Sequence, residues 1–166
     1  LQSRGLGDVY KRQVVRRDPM AMLPFCGYNM GDYFGHWLEM GEKLGDKAPK
    51  IFHVNWFRTD DEGNFLWPGF GDNMRVLLWI LARCEGKVSA RETEIGYLPY
   101  VKDIDIEGLE NDGKEFTHMM LDELLSVDKA LWREDAENIE GFYTSIGERL
   151  PAKLWEELET LKKNLE

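Results

Sequence analysis

The spacing of apolar residues predicts two helices in the first half of the chain. The segment "GDYFGHWLEMGEKLG" places Tyr33, Phe34, Trp37, Leu38 and Met40 at helical spacing, with Asp32 as the predicted N-cap and Gly45 as the predicted end. The segment "DNMRVLLWILARC" predicts a second helix, capped by Asp72 or Asn73. Its apolar stripe is formed by Val76, Leu77, Trp79, Ile80 and Leu81.

The last third of the chain is predicted to be helical. Three helices are expected in "THMMLDELLSV", "DKALWREDAENIEGFYTSIGERL" and "PAKLWEELETLKKNLE". Pro151 suits the first turn of the last one, since its missing N–H is not needed there. The residues expected to pack these helices together are Leu124, Leu125, Leu131, Trp132, Ile139, Phe142, Leu154, Trp155, Leu158 and Leu161.

Strand signals are shorter and lie between the helices. β-branched and aromatic residues in "KIFHVNWF" predict a strand, "RTDDEGN" predicts a turn, and "FLWPGFG" predicts an irregular strand or loop. A short strand entering a Pro-bounded loop is expected in "VVRRDPMAMLPF", and a long loop from Glu85 to Tyr100. The predicted fold class is mixed α/β, with short strands and an aromatic hairpin followed by a helical C-terminus.

Composition and charge favour a globular protein and disfavour nucleic acid as a partner. The 166 residues are 43% hydrophobic and 31% charged, with a net charge of −10. Residues 1–100 carry 13 basic and 13 acidic residues, whereas residues 101–166 carry 8 basic and 18 acidic ones. A phosphate-bearing ligand is therefore repelled by the last third and not by the rest.

No run of eighteen apolar residues and no signal-peptide pattern are found, which argues against membrane spanning and secretion. Cys26 and Cys84 lack zinc or CxxC spacing, so reduced thiols are expected. Residues 1–13, "LQSRGLGDVYKRQ", have no regular period and are predicted to be a foreign or disordered leader.

An unusual concentration of aromatic residues and glycines occurs between Asn55 and Asn73. These nineteen residues, "NWFRTDDEGNFLWPGFGDN", hold three Phe, two Trp and three Gly. One interpretation is a core under an irregular hairpin, because aromatic clusters are usually buried. The other is a slot for a planar base, which aromatic rings stack against while glycines let the backbone approach. Composition alone leaves both open.

Other chemistry is not indicated by the sequence. His36, His53 and His118 do not combine with acidic residues at metal-ligand spacing, so each is interpreted as a structural histidine. No GxSxG nucleophile motif and no GxxxxGK[ST] phosphate loop occur. Because 31 acidic residues are spread along the chain, no general acid–base pair can be chosen.

Four long segments resemble one enzyme family in order and spacing. They are "RDPMAMLPFCGYNMGDYFGHW", "PKIFHVNWFR", "GNFLWPGFGDNMRVL" and "IGYLP", and the end "LWREDAENIEGF" with its Pro-led helix is also similar. Residues 14–166 resemble the C-terminal GTP-binding part of GTP-dependent phosphoenolpyruvate carboxykinase. This resemblance favours the base-slot interpretation.

The resemblance implies a function in gluconeogenesis for the parent enzyme. Family members convert oxaloacetate and GTP into phosphoenolpyruvate, CO₂ and GDP, and are decarboxylating lyases that need Mn²⁺ or Mg²⁺. It also implies that guanine lies between Phe residues of the hairpin and contacts the segment "FGDN", in which Asp72 replaces the family's Glu. Asn73 is the expected contact to the guanine edge. The implied cofactor-binding residues are Phe57, Phe65, Phe70, Gly71, Asp72 and Asn73.

The family's catalytic machinery has no match in this chain. Its phosphate loop with a reactive cysteine, its metal ligands, its substrate-binding arginines and its mobile lid are all expected upstream of Val14. We therefore expect no catalytic residue, no metal ligand and no activity in the isolated chain, which would carry only the guanine-binding segment. The unprotected strand "KIFHVNWF" is expected to promote aggregation.

The expected partners are the small-molecule substrates, with no nucleic acid and no membrane, in a cytoplasmic enzyme that is monomeric at full length. The alternative is a stand-alone nucleotide-binding or interaction module without catalysis. An upstream phosphate loop in the same reading frame would distinguish the two. A purely structural helical domain with an aromatic core also fits the composition, but not the series of motifs.

Overall fold

A computed structural model describes residues 17–60 and 62–166 of the chain. The five longer helices are α1 (Met30–Leu44), α2 (Asn73–Cys84), α3 (His118–Leu124), α4 (Lys129–Ile146) and α5 (Ala152–Asn164). The strands are β1 (Arg91–Thr93), β2 (Gly96–Leu98), β3 (Glu110–Asn111) and β4 (Lys114–Glu115), paired as the antiparallel hairpins β1–β2 and β3–β4. The predicted mixed α/β class is thereby confirmed, whereas the predicted leader and the strand expected at Val14 lie outside the described residues.

The chain divides into two compact units, each with its own hydrophobic core. The first contains the described residues up to Ala48 together with Arg133–Asn164 and Glu166, and the second contains Pro49–Trp132 with Leu165. Met30, Phe34 and Leu150 are the buried centre of the first unit. The aromatic stretch, residues 55–73, lies within the continuous segment Pro49–Trp132 and belongs wholly to the second unit.

Helix α1 forms where its apolar period predicts it, but its start differs from the prediction. The N-cap is Asn29, whose Oδ1 accepts a hydrogen bond of 2.7 Å from the Gly31 N–H. Asp32 was predicted for this role, yet it lies in the first turn and pairs with Arg149 at 2.8 Å. Both residue types suit a helix start, and Asn29 caps because it precedes the first helical turn. Gly45 ends the helix as predicted, with φ of +49°.

The start of α1 lies very close to another backbone segment of the same unit. A Cβ added to Gly31 would be 2.4 Å from the carbonyl oxygen of Arg149, nearer than the Cβ atoms of folded proteins approach non-bonded atoms. The Asn29 side chain strengthens this contact region, since its Nδ2 donates to the Ile146 carbonyl at 3.0 Å. Glycine at position 31 is therefore a requirement of packing.

Helix α2 presents apolar residues on two sides. Trp79 is buried in the core of the second unit, and Val76 and Ile80 pack beside it. The opposite side remains exposed and is also apolar; its members are Met74, Leu77, Leu78 and Leu81. The predicted stripe of this helix was therefore too broad, because Leu77 and Leu81 belong to the exposed side.

The strand predicted for residues 50–57 is not formed. These residues belong to no helix or strand, and no backbone hydrogen bond joins residues 51–56 to another backbone group among the described residues. Phe52 packs edge-on against Trp79 at 6.2 Å, whereas Ile51 is 78% exposed. A strand needs a neighbouring strand to complete its hydrogen bonds, and no partner pairs with this segment in the described part of the chain.

The prediction of a long loop from Glu85 to Tyr100 was wrong for its second half, which forms paired strands. This segment contains the hairpin β1–β2, in which Arg91 pairs with Leu98 and Thr93 with Gly96. The hairpin escapes a search for alternating apolar residues because only three residues on each side are paired. The second hairpin, β3–β4, turns through Asp112 and Gly113 at φ of +50° and +72°, a conformation that an Asp-Gly pair favours.

The three C-terminal helices are confirmed as α3, α4 and α5. Pro151 directly precedes α5, close to its predicted position at the helix start. Leu158 is buried as predicted, but Leu131 is 63% exposed, so its assignment to the core was wrong. Position 131 lies in the first turn of α4, on the side of the helix facing solvent. No helix in residues 17–60 and 62–166 is long and apolar enough to cross a bilayer.

Two glycines of α1 provide a matched test of this packing. We expect Gly31→Ala to lower the free energy of unfolding by roughly 1–3 kcal/mol, since the new methyl group collides with the Arg149 backbone. Gly41→Ala has open space in the same helix and should raise stability by about 0.5–1 kcal/mol through helix propensity. Urea unfolding of both variants measures the difference, and equal effects would contradict the close approach.

Candidate functional site

The aromatic stretch forms a short hairpin closed by a tight polar turn. Thr59 and Phe65 make an isolated antiparallel bridge, and the Leu66 N–H donates to the Arg58 carbonyl at 2.9 Å. At the turn, Asp60 accepts hydrogen bonds from the Asn64 backbone N–H at 2.7 Å and from the Asn64 Nδ2 at 3.0 Å. The predicted turn in "RTDDEGN" is confirmed, and Asp60 closes it.

These hydrogen bonds change the acidity of Asp60. The Asn64 side-chain amide has the largest effect and lowers the pKa of the Asp60 carboxyl below its usual value; the Asn64 backbone N–H lowers it further. Donors aimed at a carboxylate favour its charged form, which explains the direction. The turn is therefore built around an ionised Asp60.

The hairpin brings two of the predicted base-binding residues together. The Phe57 and Phe65 ring centroids are 6.1 Å apart, with the ring planes inclined at 60°. Both rings are about half exposed, at 46% and 44%. Their arrangement leaves apolar faces open to solvent at the end of the hairpin, which a closed core would not do.

Trp67 connects this hairpin to the start of helix α2, where Asn73 lies. Its ring is buried and packs edge-on against Phe116 at 5.7 Å, while its Nε1–H donates to the Asn73 Oδ1 at 2.9 Å. An indole nitrogen can only donate, so the atom of Asn73 that faces it is the oxygen. The Nδ2 of Asn73 is consequently the atom left to contact a ligand.

The segment between Pro68 and Asn73 places Phe70 at the surface. Gly69 has φ of +83°, and Phe70 itself takes a left-handed conformation at φ of +46°, which is uncommon for a residue with a side chain. A single 3₁₀ turn, Phe70–Asp72, follows and leads into α2. The Phe70 ring is 97% exposed and makes no ring contact among the described residues. Of the three predicted Phe residues, it is the one the structure does not bring against another ring.

Asp72 and Gly71 lie in this turn, but Asp72 does not cap α2 through its side chain. Its Oδ1 instead accepts from Arg75 Nε at 3.2 Å. The other nitrogens of Arg75 donate to the carbonyls of Asp105 and Glu107 at 2.8 and 3.0 Å. Asp72 therefore helps to orient an arginine that attaches the beginning of α2 to a distant loop.

A cavity of about 310 Å³ opens beside Phe65. It is lined by the turn residues 63–65, by Trp67 and Pro68, and by Asn111 and Asp112. Sequence reasoning found Phe65 but missed Trp67 as the partner of Asn73, and it missed Asn111 entirely. Asn111 lies more than forty residues along the chain from the hairpin, and the residues around it do not indicate that it contacts the hairpin.

The described residues do not supply a metal centre. No group of three or more His, Cys, Asp or Glu side chains in residues 17–60 and 62–166 is arranged to hold a metal ion. These side chains thus do not fit a manganese or magnesium ion, whose ligands the resemblance implies upstream of Val14. Cys26 and Cys84 are not joined to each other by a disulfide.

Comparison with known proteins identifies the family. Residues 5–164 match the family described as the phosphoenolpyruvate carboxykinase C-terminal P-loop domain. The chain is 50% identical over 151 residues to a protein of Corynebacterium kroppenstedtii, and 50% identical over 153 residues to proteins of Treponema pallidum and Paenarthrobacter aurescens. Each of these relatives is named phosphoenolpyruvate carboxykinase [GTP].

The site and fold are those of a mixed α/β domain with an aromatic hairpin beside a helix start. The extent of the match shows that this chain belongs to the GTP-dependent phosphoenolpyruvate carboxykinase family. The alignments cover 91–92% of the chain but only 24% of each relative, so the chain spans about a quarter of their length.

Acid titration tests the structure of the turn. Because the pKa of Asp60 is lowered in the fold, its contribution to hairpin stability is complete above the ordinary Asp value of about 3.9 and is lost as the pH falls through the lowered value. We expect the Asn64 amide proton signal to titrate with a midpoint below 3.9 in NMR spectra recorded from pH 6 to pH 2. Asp60→Asn should abolish that titration. A midpoint at or above the ordinary value would refute the hydrogen-bonded turn.

Proposed function

We propose that this chain is the guanine-binding segment of a GTP-dependent phosphoenolpyruvate carboxykinase. The parent enzyme converts oxaloacetate and GTP into phosphoenolpyruvate, CO₂ and GDP, and acts in gluconeogenesis. The observation that carries the proposal is the pair of half-exposed rings, Phe57 and Phe65, joined through Trp67 to Asn73 in a chain of this family. Phe57, Phe65, Phe70, Gly71, Asp72 and Asn73 are the proposed nucleotide-binding residues.

Stacking provides most of the attraction for the base. A planar base against an aromatic ring is worth on the order of 1–3 kcal/mol, without regard to its identity. Phe57, Phe65 and Phe70 all present exposed ring surface for this purpose. Gly69 and Gly71, on either side of Phe70, keep the neighbouring backbone free of side chains that would obstruct a ring.

Asn73 provides the choice between guanine and adenine. Its Oδ1 is held by the Trp67 indole, so its Nδ2 offers N–H donors. Guanine presents the acceptor O6 at the position where adenine presents the donor N6. A donor fixed at this place pairs with guanine and meets another donor in adenine, which favours GTP over ATP.

The remaining parts of the reaction belong to the parent enzyme. We assign the Mn²⁺ or Mg²⁺ ion, the phosphate loop and the catalytic residues to polypeptide beyond the residues described. The proposed parent is a cytoplasmic monomer acting on small molecules, without nucleic-acid or membrane partners. Within the chain, we propose a family domain of residues 14–166, whereas the match to the family description itself extends over residues 5–164.

Phe70 offers a clean test of base stacking because its ring supports nothing else in the unit. We expect Phe70→Ala to weaken GTP binding about fivefold or more, the equivalent of losing at least 1 kcal/mol of stacking, with unchanged unfolding. NMR titration at millimolar GTP measures this, with Phe25→Ala as the control for loss of an exposed phenylalanine elsewhere. Unchanged affinity in the Phe70 variant, or equal losses in both, would exclude stacking on Phe70.

The isolated chain is expected to lack carboxykinase activity. Phosphoryl transfer depends on cations positioned around the phosphates, and the described residues hold no metal cluster. Purified chain should produce no phosphoenolpyruvate from oxaloacetate, GTP and Mn²⁺, whereas a full-length relative assayed in parallel should. Turnover by the chain at a rate above the enzyme-free reaction would contradict the proposal that it carries only the base-binding segment.

A further inference from the structure

Asn111 holds the backbone of the hairpin at the point where Phe65 emerges. Its Nδ2 donates to the Phe65 carbonyl at 2.9 Å and to the Leu66 carbonyl at 3.3 Å. Both acceptors are oxygens, so only the amide nitrogen can face them and the orientation of the side chain is determined. One side chain thus fixes two successive peptide groups.

The element that carries Asn111 is itself firmly anchored. The hairpin β3–β4 is flanked by Leu109 and Phe116, which are both almost completely buried in the core of the second unit. The Phe116 N–H donates to the Leu109 carbonyl at 2.8 Å and closes the hairpin β3–β4 at its base. Asn111 therefore projects from a fixed support rather than from a free loop.

Phe65 has few other restraints that would set the direction of its ring. Its backbone shares one isolated bridge with Thr59, and the Leu66 N–H of the following peptide group donates to the Arg58 carbonyl at 2.9 Å. Its ring touches Phe57 at an inclined angle while remaining about half exposed. A shift of the backbone at residues 65 and 66 would tilt the Cα–Cβ bond of Phe65 and with it the ring. The hydrogen bond to the Phe65 carbonyl opposes movement of the 65–66 peptide, and the one to the Leu66 carbonyl opposes movement of the 66–67 peptide.

We propose that Asn111 is a positioning residue for the base-binding site, which sets the Phe65 ring at the angle needed for stacking. This rests on the proposed guanine-binding function. Asn111 does not contact the base in this role; it acts through the Phe65 carbonyl. The cavity beside Phe65, which Asn111 also lines, gives the ring room to tilt when the restraint is lost.

Asn111→Asp tests this with almost no change in volume. The carboxylate has no N–H to donate and places negative charge against two carbonyl oxygens, so the restraint is replaced by repulsion. We expect the Phe65 ring signals to shift in the NMR spectrum of the free chain, and GTP to bind roughly fivefold more weakly. Asn138→Asp is the matched control, because Asn138 also donates an amide to a backbone carbonyl, that of Glu134 at 3.0 Å, in the other unit.

Two measurements distinguish a positioning role of Asn111 from a merely structural one: the NMR signal of the Trp67 indole N–H and the midpoint of unfolding. Positioning predicts that both stay at their wild-type values in Asn111→Asp while Phe65 and the affinity change. A displaced Trp67 signal and a lowered midpoint in both Asn111→Asp and Asn111→Ala would overturn the proposal, since Asn111 would then hold the unit together.

Two further outcomes distinguish this inference from the function on which it rests. Unchanged Phe65 signals and unchanged affinity in Asn111→Asp, with a wild-type chain that binds GTP, overturn the role of Asn111 and leave guanine binding intact. A wild-type chain that shows no saturable change at Phe57 or Phe65 with GTP overturns the proposed function itself, and the positioning of a base with it.

Discussion

The hydrogen bond from the Trp67 indole to Asn73 is the interaction on which the candidate site depends. Trp67 belongs to the arm of the hairpin that carries Phe65, and Asn73 is the first residue of α2. This bond therefore joins the two ends of the segment in which the other proposed contacts, Phe70–Asp72, lie. Its strength comes from burial: the indole ring is enclosed by the core, where an unpaired N–H would cost about 1–3 kcal/mol. The Trp67 side chain thus both packs in the core and orients Asn73, the residue proposed to contact the base.

In the second unit, hydrogen bonds from side chains connect loops that are distant along the chain, because its strands are too short to do so. Its strands are at most three residues long, and long-range hydrogen bonds from side chains to carbonyl groups connect its loops. Arg58 donates to the Leu124 carbonyl at 2.9 Å, Arg91 to that of Leu125 at 2.7 Å, and Arg75 to two carbonyls beyond residue 104. Charged donors make stronger bonds than neutral ones, which suits them to this task. Asn111 follows the same pattern at the hairpin.

Features fixed by neighbouring residues could be predicted from the sequence, and those fixed by distant residues could not. The helices follow from apolar period, and the turn closed by Asp60 and Asn64 follows from local composition. The strand at 50–57 was predicted wrongly because its apolar pattern is local, whereas pairing requires a partner from elsewhere. Phe57 and Phe65 could be named in advance through family resemblance, but the contact of Asn111 with Phe65, 46 residues away, depends on the folded hairpin β3–β4.

The exposure of Phe70 has a thermodynamic consequence. Its ring is 97% exposed and carries a nearly complete hydration shell, held outward by a left-handed backbone. A base that stacks on it removes this apolar surface from water, and such burial lowers the heat capacity of the system. The enthalpy of association therefore becomes more favourable on warming, and the difference in heat-capacity change between the wild type and Phe70→Ala measures the apolar surface that depends on this ring.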